Sequence, residues 1–275
     1  MSKKDRIQLS DHFTYKRLFA FVLPTIANMV FLSIYGIVDG LFISNWVGKV
    51  AFASVNVTFP IFGVLGVFGL MIGTGGSAII GKTLGEQNPE KANGLFSFFV
   101  YVCIGIGIIM GVTGIFVLRP LIGLIGVEQN MVGYCMLYGT IGMFTLPCYV
   151  LQYMFQILFV TAEKPRLGFW ITVITGVTNI VLDFILIVLF HWGIIGAAVG
   201  TSVSELVGGI VPLIYFSRPN DSLLRLGKPR VEFPALRKAC TNGLSEFVTT
   251  VSESVVAMLY NFQLLRLAGA DGVAA

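Results

Sequence analysis

Two acidic residues stand inside apolar stretches of this chain, where a carboxyl group can take part in proton or cation chemistry. Asp183 lies in TNIVLDFILIVL, residues 178–189, and Asp39 lies in IYGIVDGLFI, residues 34–43. A charged carboxylate inside hydrocarbon is costly, so such residues usually face a bundle interior and mark ion or substrate paths. Two carboxylates in a medium of low dielectric constant cannot both ionise cheaply, so we expect them to share a proton or a cation.

Further polar side chains fall at a similar depth when residues are counted at about 1.5 Å each from the predicted helix ends. Asn179 precedes Asp183 by one helical turn, and Tyr35 precedes Asp39 in the same way, so Tyr35 could line a cavity beside the acids. The convergent set from four predicted helices is Asp39, Tyr138, Asn179, Asp183 and Thr201. Their types predict a site for H⁺ or Na⁺ without choosing between these ions. The alternative is that they only fix helix packing, with Asp39 capping its helix.

Three other acids have two interpretations each. Glu205 follows Thr201 by one turn and could extend the site inward, or pair structurally with a neighbour. Glu253 could line the cleft between the two halves of the protein, as a secondary acid. Glu246 stands close to the end of its apolar block, where an interfacial position is the simpler expectation.

These residues require long apolar helices to position them, and the composition predicts such helices. Of 275 residues, 56% are hydrophobic and 12% are charged, with a mean hydropathy of +0.86, whereas soluble domains carry about 25% charged residues. A membrane span needs roughly 20 apolar residues. We therefore predict an all-α polytopic membrane protein with seven apolar blocks: 18–43, 52–80, 94–118, 131–160, 167–190, 194–217 and 239–265.

The distribution of basic residues predicts the orientation of this bundle. All 18 Lys and Arg residues except Lys49, Arg119 and Arg266 fall on the side of the N-terminus. Because short cytoplasmic loops carry the excess of Lys and Arg, the N-terminus is expected in the cytoplasm and the bundle in the cytoplasmic (inner) membrane. The net charge of +4 follows from this orientation, and nucleic acid is not an expected partner.

The longest polar connection divides the chain unequally. We predict a six-helix lobe over 1–217, a cytoplasmic linker over 218–238, and the first helix of a truncated second lobe over 239–275. The second part weakly repeats the first, since Arg237 and Lys238 precede the seventh block as Lys16 and Arg17 precede the first. Such internal repetition is typical of two-lobed carriers.

Resident metal and cofactor chemistry is not predicted. The four cysteines lie in or beside apolar blocks without metal-ligand spacing, and His12 and His191 stand apart from one another. The GTGGS run at 73–77 lacks the Lys that follows in a phosphate-binding loop. Glycine pairs at helical spacing, such as Gly69 and Gly73, are interpreted as close helix contacts. Neither a cofactor nor enzyme activity is expected, and any metal would be Na⁺ at Asp39, Asn179, Asp183 and Thr201.

The sequence resembles the multidrug and toxic compound extrusion (MATE) family of antiporters over nearly the whole chain. The resemblance is carried by LPTIANMVFLSIYGIVDGLFISNWVG, GKTLGEQNPEKAN, TNIVLD and HWGIIGAAVGTSVSE. It implies the N-terminal lobe of a twelve-span secondary transporter that exports organic, often cationic, compounds in exchange for H⁺ or Na⁺. The family's ion-coupling positions match Asp39, Tyr138, Asn179, Asp183 and Thr201. Glu205 is outside that motif, and the chain stops within what resembles the seventh span, as a fragment of a longer reading frame would.

The implied partners are small drug-like substrates, membrane lipids, and a second lobe from the same reading frame or from a second copy. Alternatives remain open at this point. A lipid-linked oligosaccharide flippase of the same superfamily would present more cationic residues to its cavity than the first six blocks contain. An intramembrane aspartyl protease would carry GxGD, whereas the chain has YGIVDG. A non-transporting membrane subunit would need an obligate partner.

Overall fold

Long helices make up nearly all of the regular structure. The computed structural model describes residues 15–274, so Lys3, Lys4, Arg6 and His12 lie outside the described residues. Within that range the chain forms eight α-helices and no strand, which confirms the all-α prediction. The helices are α1 (Tyr15–Phe42), α2 (Lys49–Gly85), α3 (Pro89–Ile125), α4 (Gln129–Thr161), α5 (Pro165–Asp183), α6 (Ile194–Ser217), α7 (Phe233–Asn242) and α8 (Leu244–Ala274).

Six of the helical segments are long and apolar enough to cross a membrane, and they match the first six predicted blocks. They are Val22–Val47, Lys49–Gly85, Pro89–Ile125, Gln129–Thr161, Pro165–Leu189 and Ile194–Ser217. The α8 helix has 31 residues but is not among these six segments. The first six predicted blocks are therefore confirmed as candidate spans.

The boundaries of the seventh block also differ from the prediction. Residues 239–265 do not form one helix, since α7 ends at Asn242 and α8 begins at Leu244. Gly243 lies between them with its α-carbon against the backbone of Met71 in α2, where a side chain would not fit. The α7 helix begins at Phe233, inside the predicted linker, with Pro234 in its first turn, where the missing N–H is harmless.

The two ends of the bundle are named here by their connections. The end called the linker end carries the connections 86–88, 162–164 and 218–232. The opposite end, called the far end, carries Gly48, 126–128 and 190–193. At the linker end Asn88 caps α3, because its side chain accepts a hydrogen bond from the backbone N–H of Lys91 at 3.1 Å.

The α4 helix is the centre of the packing, and glycines allow α2 and α3 to approach it. The α-carbons of Gly69 and Gly73 in α2 lie against the backbone of Val150 and Met154. Gly107 and Gly111 of α3 contact α4 in the same way. The predicted role of these glycine pairs in close helix packing is confirmed.

An aromatic cluster closes the core at the linker end. Phe96, Phe155 and Phe216 are almost fully buried, and the ring of Phe216 lies 5.1 Å from that of Phe96 and 5.6 Å from that of Phe155, between centroids. Aromatic pairs at such distances add about 0.5–1.5 kcal/mol each beyond the burial of their area. This cluster holds α3, α4 and α6 together.

Both helices that carry the apolar acids continue into π-helical turns. Ile43–Val47 follows α1, and Phe184–Leu189 follows α5 directly after Asp183. The two π-helical segments contact each other at the far end. π-Helical turns are rare and are often associated with functional sites.

The α8 helix packs along the length of α2. At the far end, Asn261 donates a hydrogen bond to the carbonyl oxygen of Asn56 at 3.0 Å, and Asn56 donates to that of Val273 at 3.3 Å. The chain breaks from helical geometry at Gly269, whose φ of 60° and ψ of −151° suit glycine almost alone. The carboxylate of Glu128 accepts a hydrogen bond from the N–H of Ala270 there, at 3.1 Å.

Candidate functional site

The two apolar acids meet between α1 and α5. Asp183, the last residue of α5, is 0% exposed, and Asn179 one turn earlier is 1% exposed. Asp39 is half-buried near the end of α1. Its carboxyl group faces that of Asp183, and Asn179 is adjacent to Asp39 as well. The structure thus places the central three residues of the predicted site side by side.

The oxygens of this group lack donors. Among residues 15–274, no hydrogen-bond partner reaches either carboxyl oxygen of Asp183, Oδ1 of Asp39 or Oδ1 of Asn179. Ionised carboxylates only accept hydrogen bonds, so two of them cannot bond to each other unless one carries a proton. A buried, unpaired carboxylate is costly. The arrangement therefore favours occupation by a proton or a small cation.

Two glycines bring the neighbouring helices close to these acids. A Cβ on Gly200 of α6 would lie 2.5 Å from Oδ1 of Asp183, so only glycine permits the observed approach of α6. Gly176 of α5 lies against the rings of Phe31 and Tyr35 of α1. Tyr35, a predicted cavity residue, consequently packs over α5 within electrostatic range of Asp39.

The remaining two predicted residues lie beside the acids on α4 and α6. Tyr138 is 4% exposed and its hydroxyl is adjacent to Thr201. Its ring packs edge-on against Phe62 at 6.3 Å between centroids. Tyr138 and Thr201 line a small cavity that also includes Glu205 and has room for about one water molecule. All five predicted positions are therefore neighbours, while their role in ion binding stays a prediction.

Glu205 has a structural partner that the sequence did not reveal. The hydroxyl of Thr145 donates to its Oε2 at 2.6 Å. The hydroxyl groups of Tyr149 and Tyr153, joined at 3.1 Å, lie within electrostatic range of the same carboxyl group. Thr145 follows Tyr138 by two helical turns and therefore lies on the same face of α4. Both proposed roles of Glu205, in the site and in structural pairing, fit this position.

The acids of α8 do not join the site. Glu253 is exposed and Glu246 is half-buried near the start of the helix. Among residues 15–274, no three His, Cys, Asp or Glu side chains gather in a metal-binding arrangement. All four cysteines are free thiols. The donor set at the acid pair consists of carboxyl, amide and hydroxyl oxygens, which suits a proton or a hard monovalent cation better than a transition metal.

Known sequences resemble this chain over most of its length. The multidrug export protein MepA of Staphylococcus haemolyticus is 28% identical over 254 residues, which is 91% of this chain and 56% of that protein. MepA of Staphylococcus saprophyticus is 26% identical over 251 residues, with the same coverage. The chain thus spans about half the length of the curated relatives it matches. Those relatives are export proteins and not enzymes.

Solved structures share the fold. The MATE multidrug transporter DinF-BH in complex with R6G aligns with a TM-score of 0.88 at 24% identity, covering 98% of this chain and 61% of that one. An inward-facing multidrug resistance MATE family transporter of the MOP superfamily aligns with a TM-score of 0.82 at 21% identity, covering 90% and 59%. The MatE family profile matches residues 24–185, a range that contains Asp39, Tyr138, Asn179 and Asp183. The chain belongs to the MatE family of integral membrane proteins.

Proposed function

We propose that this chain forms the N-terminal part of a secondary multidrug efflux transporter, which exports organic, often cationic, compounds in exchange for H⁺ or Na⁺. The observation that carries the proposal is the facing pair of Asp39 and Asp183, in which both carboxyl oxygens of Asp183 and Oδ1 of Asp39 are buried without a donor among residues 15–274. A carboxyl pair whose oxygens gain a partner only when a proton or a cation binds is suited to couple ion binding to transport. The proposed substrates are drug-like compounds because the similar proteins are multidrug export proteins.

The ion would bind in one of two ways. A proton shared between Asp39 and Asp183 would create the missing hydrogen bond between their carboxyl groups. A sodium ion would instead use oxygens of Asp39, Asn179, Asp183 and Thr201. In both cases the ion removes the electrostatic repulsion between the two carboxyl groups, one on α1 and the other on α5. Release of the ion would restore that repulsion and change how α1 packs, with Pro24 offering a place for α1 to bend.

Transport also requires a second lobe. The matched MepA proteins extend well beyond the length of this chain, which covers 56% of them. The second lobe would come from the same reading frame or from a second copy of the chain, and α8 would be its first helix. A drug path between two lobes follows the usual design of secondary carriers.

The proposed orientation places the linker end in the cytoplasm and the bundle in the cytoplasmic membrane, in contact with lipid. Most basic residues among 15–274 lie on the linker end, including Lys82, Lys91, Lys164 and Arg230, whereas Lys49 lies at the far end. Such an excess of Lys and Arg in short connections is typical of cytoplasmic loops.

The experiment is dye flux in proteoliposomes, using the full reading frame and imposing a proton gradient or a sodium gradient in turn. We expect one gradient to drive export of a fluorescent cationic dye, which names the ion. Asp183→Asn should reduce this flux by about tenfold or more, because an amide cannot exchange a proton or hold a cation by charge.

The matched control is Asp271→Asn, which alters an exposed acid at the far end and should leave flux unchanged. Insertion of each variant is checked by its yield and thermal unfolding in detergent. Normal gradient-driven export by a well-inserted Asp183→Asn protein would refute the proposed coupling role. No flux under either gradient would move the interpretation to the flippase or the membrane subunit.

A further inference from the structure

A line of buried polar side chains on α5 leads from the acid pair toward the linker end, and it extends beyond the predicted site residues. On α5, Thr172, Thr175, Asn179 and Asp183 follow one another at three or four residues, so they share one face. All four are at most 5% exposed. A polar stripe that is buried over its entire length needs polar partners.

Within this stripe, Thr175 has no polar partner among the described residues. In α5, Thr172 and Thr178 donate to the carbonyl oxygens four residues earlier, at 3.2 and 2.7 Å. The hydroxyl of Thr175, which is 4% exposed, does not, and it finds no other partner among residues 15–274. The Thr175 hydroxyl is therefore free to bond to a group between the helices.

The helices facing α5 present similar atoms. Oε1 of Gln152 in α4 and Oδ1 of Asn28 in α1 are both buried and likewise have no partner within the described range. Gln152 lies against Gly208 of α6, where a larger residue would collide with its amide group. Helices α1, α4 and α5 thus each direct an unpaired polar atom into the space between the helices, which is called the seam here.

Two cavities occupy this seam and join it to the linker end. One lies among α4, α5 and α6 and is lined by Gln152, Gln156, Thr172 and Thr175. The other lies among α1, α4 and α5 and is lined by Asn28, Gln156, Thr172 and Pro165, the first residue of α5. Gln156 and Thr172 therefore belong to both cavities, and each cavity has room for about one or two water molecules.

We propose that the polar seam of Asn28, Gln152, Gln156, Thr172 and Thr175 is a hydrated path through which the Asp39–Asp183 pair exchanges its ion with the compartment at the linker end. The residues that line its two cavities carry no charge, so water and not a fixed ion is the expected occupant. Waters with two to four polar partners are stable inside proteins, and the unpaired atoms supply those partners. The path runs between α1, α4, α5 and α6. The identity of the ion rests on the proposed function, whereas the hydration does not.

The first test measures water and does not depend on transport. Short X-ray exposure generates hydroxyl radicals from water, and mass spectrometry measures oxidation of nearby side chains. Phe159 is 2% exposed and lines both cavities, whereas Phe96 is 0% exposed and lines neither. We expect Phe159 to be oxidised about fivefold faster than Phe96, because bound water lies beside it. Equal, slow oxidation of both rings would overturn the proposal.

A variant of the seam sharpens this test. Gln156→Leu keeps the side-chain size and removes the amide that both cavities share, so Phe159 oxidation should fall toward that of Phe96. Gln156→Asn retains an amide and should preserve it. Thermal unfolding identifies any variant that fails to fold. Unchanged Phe159 oxidation in a folded Gln156→Leu protein would contradict the assigned position of the water.

The second test addresses the ion. Thr175→Val should lower the maximal rate of gradient-driven dye export by about tenfold while leaving the half-saturating dye concentration unchanged, because the substrate site is intact. Thr175→Ser should retain the rate, and Thr178→Val should match the wild type, because the Thr178 hydroxyl already bonds to its own helix and Thr178 lines neither cavity. A wild-type rate in Thr175→Val would overturn the ion route. Absence of flux in the wild type would instead refute the proposed function, and oxidation of Phe159 would still decide whether the seam is hydrated.

Discussion

The acid pair shows how buried acceptors without donors can indicate function. Asp183 and Asn179 are sealed from solvent, yet their oxygens receive no hydrogen bond from the described part of the chain. Glu205, by contrast, has Thr145 as a donor at 2.6 Å. A structural acid would be expected to resemble Glu205 in this respect. The contrast distinguishes the two acids by environment, although both lie in apolar helices.

Thr145→Val tests the structural bond of Glu205. Valine keeps the shape of threonine and removes the hydroxyl that donates to Oε2 of Glu205, so the folded protein should lose about 1–3 kcal/mol of stability. Thermal unfolding in detergent measures the loss, and Thr145→Ser, which restores the hydroxyl, is the control. A valine variant as stable as the wild type would show that Glu205 does not depend on this bond.

Residue type and depth identified the five clustered positions but not Thr145 or Thr175. Asp and Asn in apolar helices are conspicuous because burying them is costly. Threonine is not conspicuous, since its hydroxyl usually bonds to its own helix, as in Thr172 and Thr178. Only the tertiary structure shows which threonine turns its hydroxyl toward another helix.

At the scale of elements, the approach of α6 to α5 sets the geometry of the site. Gly196 lies against the backbone of Leu186, and Gly200 lies against Asp183. The two glycines leave no room for a side chain of α6 at these contacts, and Thr201 is brought beside the acids. Because α6 packs this closely, its position should be sensitive to a single methyl group.

Gly200→Ala tests this sensitivity. The new methyl group would collide with Oδ1 of Asp183, so α6 must move away, at a cost of about 1–3 kcal/mol. We expect loss of ion-coupled dye flux together with a lower unfolding temperature. Gly105→Ala, where nothing lies within 4 Å of the added atom, should change neither measurement. Full flux in Gly200→Ala would show that the close approach is dispensable.

The sequence predicted the six apolar helices because each contains a long hydrophobic run between charged connections. It did not predict the break between α7 and α8, where Gly243 lies against the backbone of Met71 in another helix. The π-helical turns after Phe42 and Asp183 were not predicted either. Their sequences, ISNWV and FILIVL, have no local feature that separates them from ordinary apolar helix.

At the scale of the whole molecule, α8 is attached to the six-helix bundle differently at its two ends. Near the linker end the contact is between backbones, with Gly243 against Met71 and Gly75 against Ala239. At the far end the contact combines hydrogen bonds, among them those of Asn261 and Asn56, with buried apolar side chains such as Leu265 and Val273. The first kind of contact is short and rigid, whereas the second can exchange with water.

Asn261→Leu tests the far-end attachment. Loss of the bond to Asn56 should weaken the docking of α8 by about 1 kcal/mol, which corresponds to roughly fivefold faster amide exchange. Hydrogen–deuterium exchange over residues 256–274 measures this change. Lys49→Gln removes an exposed ion pair with Asp271 at 3.5 Å and should have little effect. Unchanged amide exchange in Asn261→Leu would show that the bond between Asn261 and Asn56 does not hold the far end of α8.

The unequal attachment of α8 gives it the properties of a lever. About 25 residues separate Leu244 from the break at Gly269, which corresponds to roughly 38 Å of helix. A rotation of about 10° around the glycine contacts would displace the far end by about 7 Å, with almost no movement at the fulcrum. Small rearrangements beside Gly243 would therefore be amplified along α8, and such a swing would expose both the polar groups at the far end and the buried side chains of Leu265 and Val273.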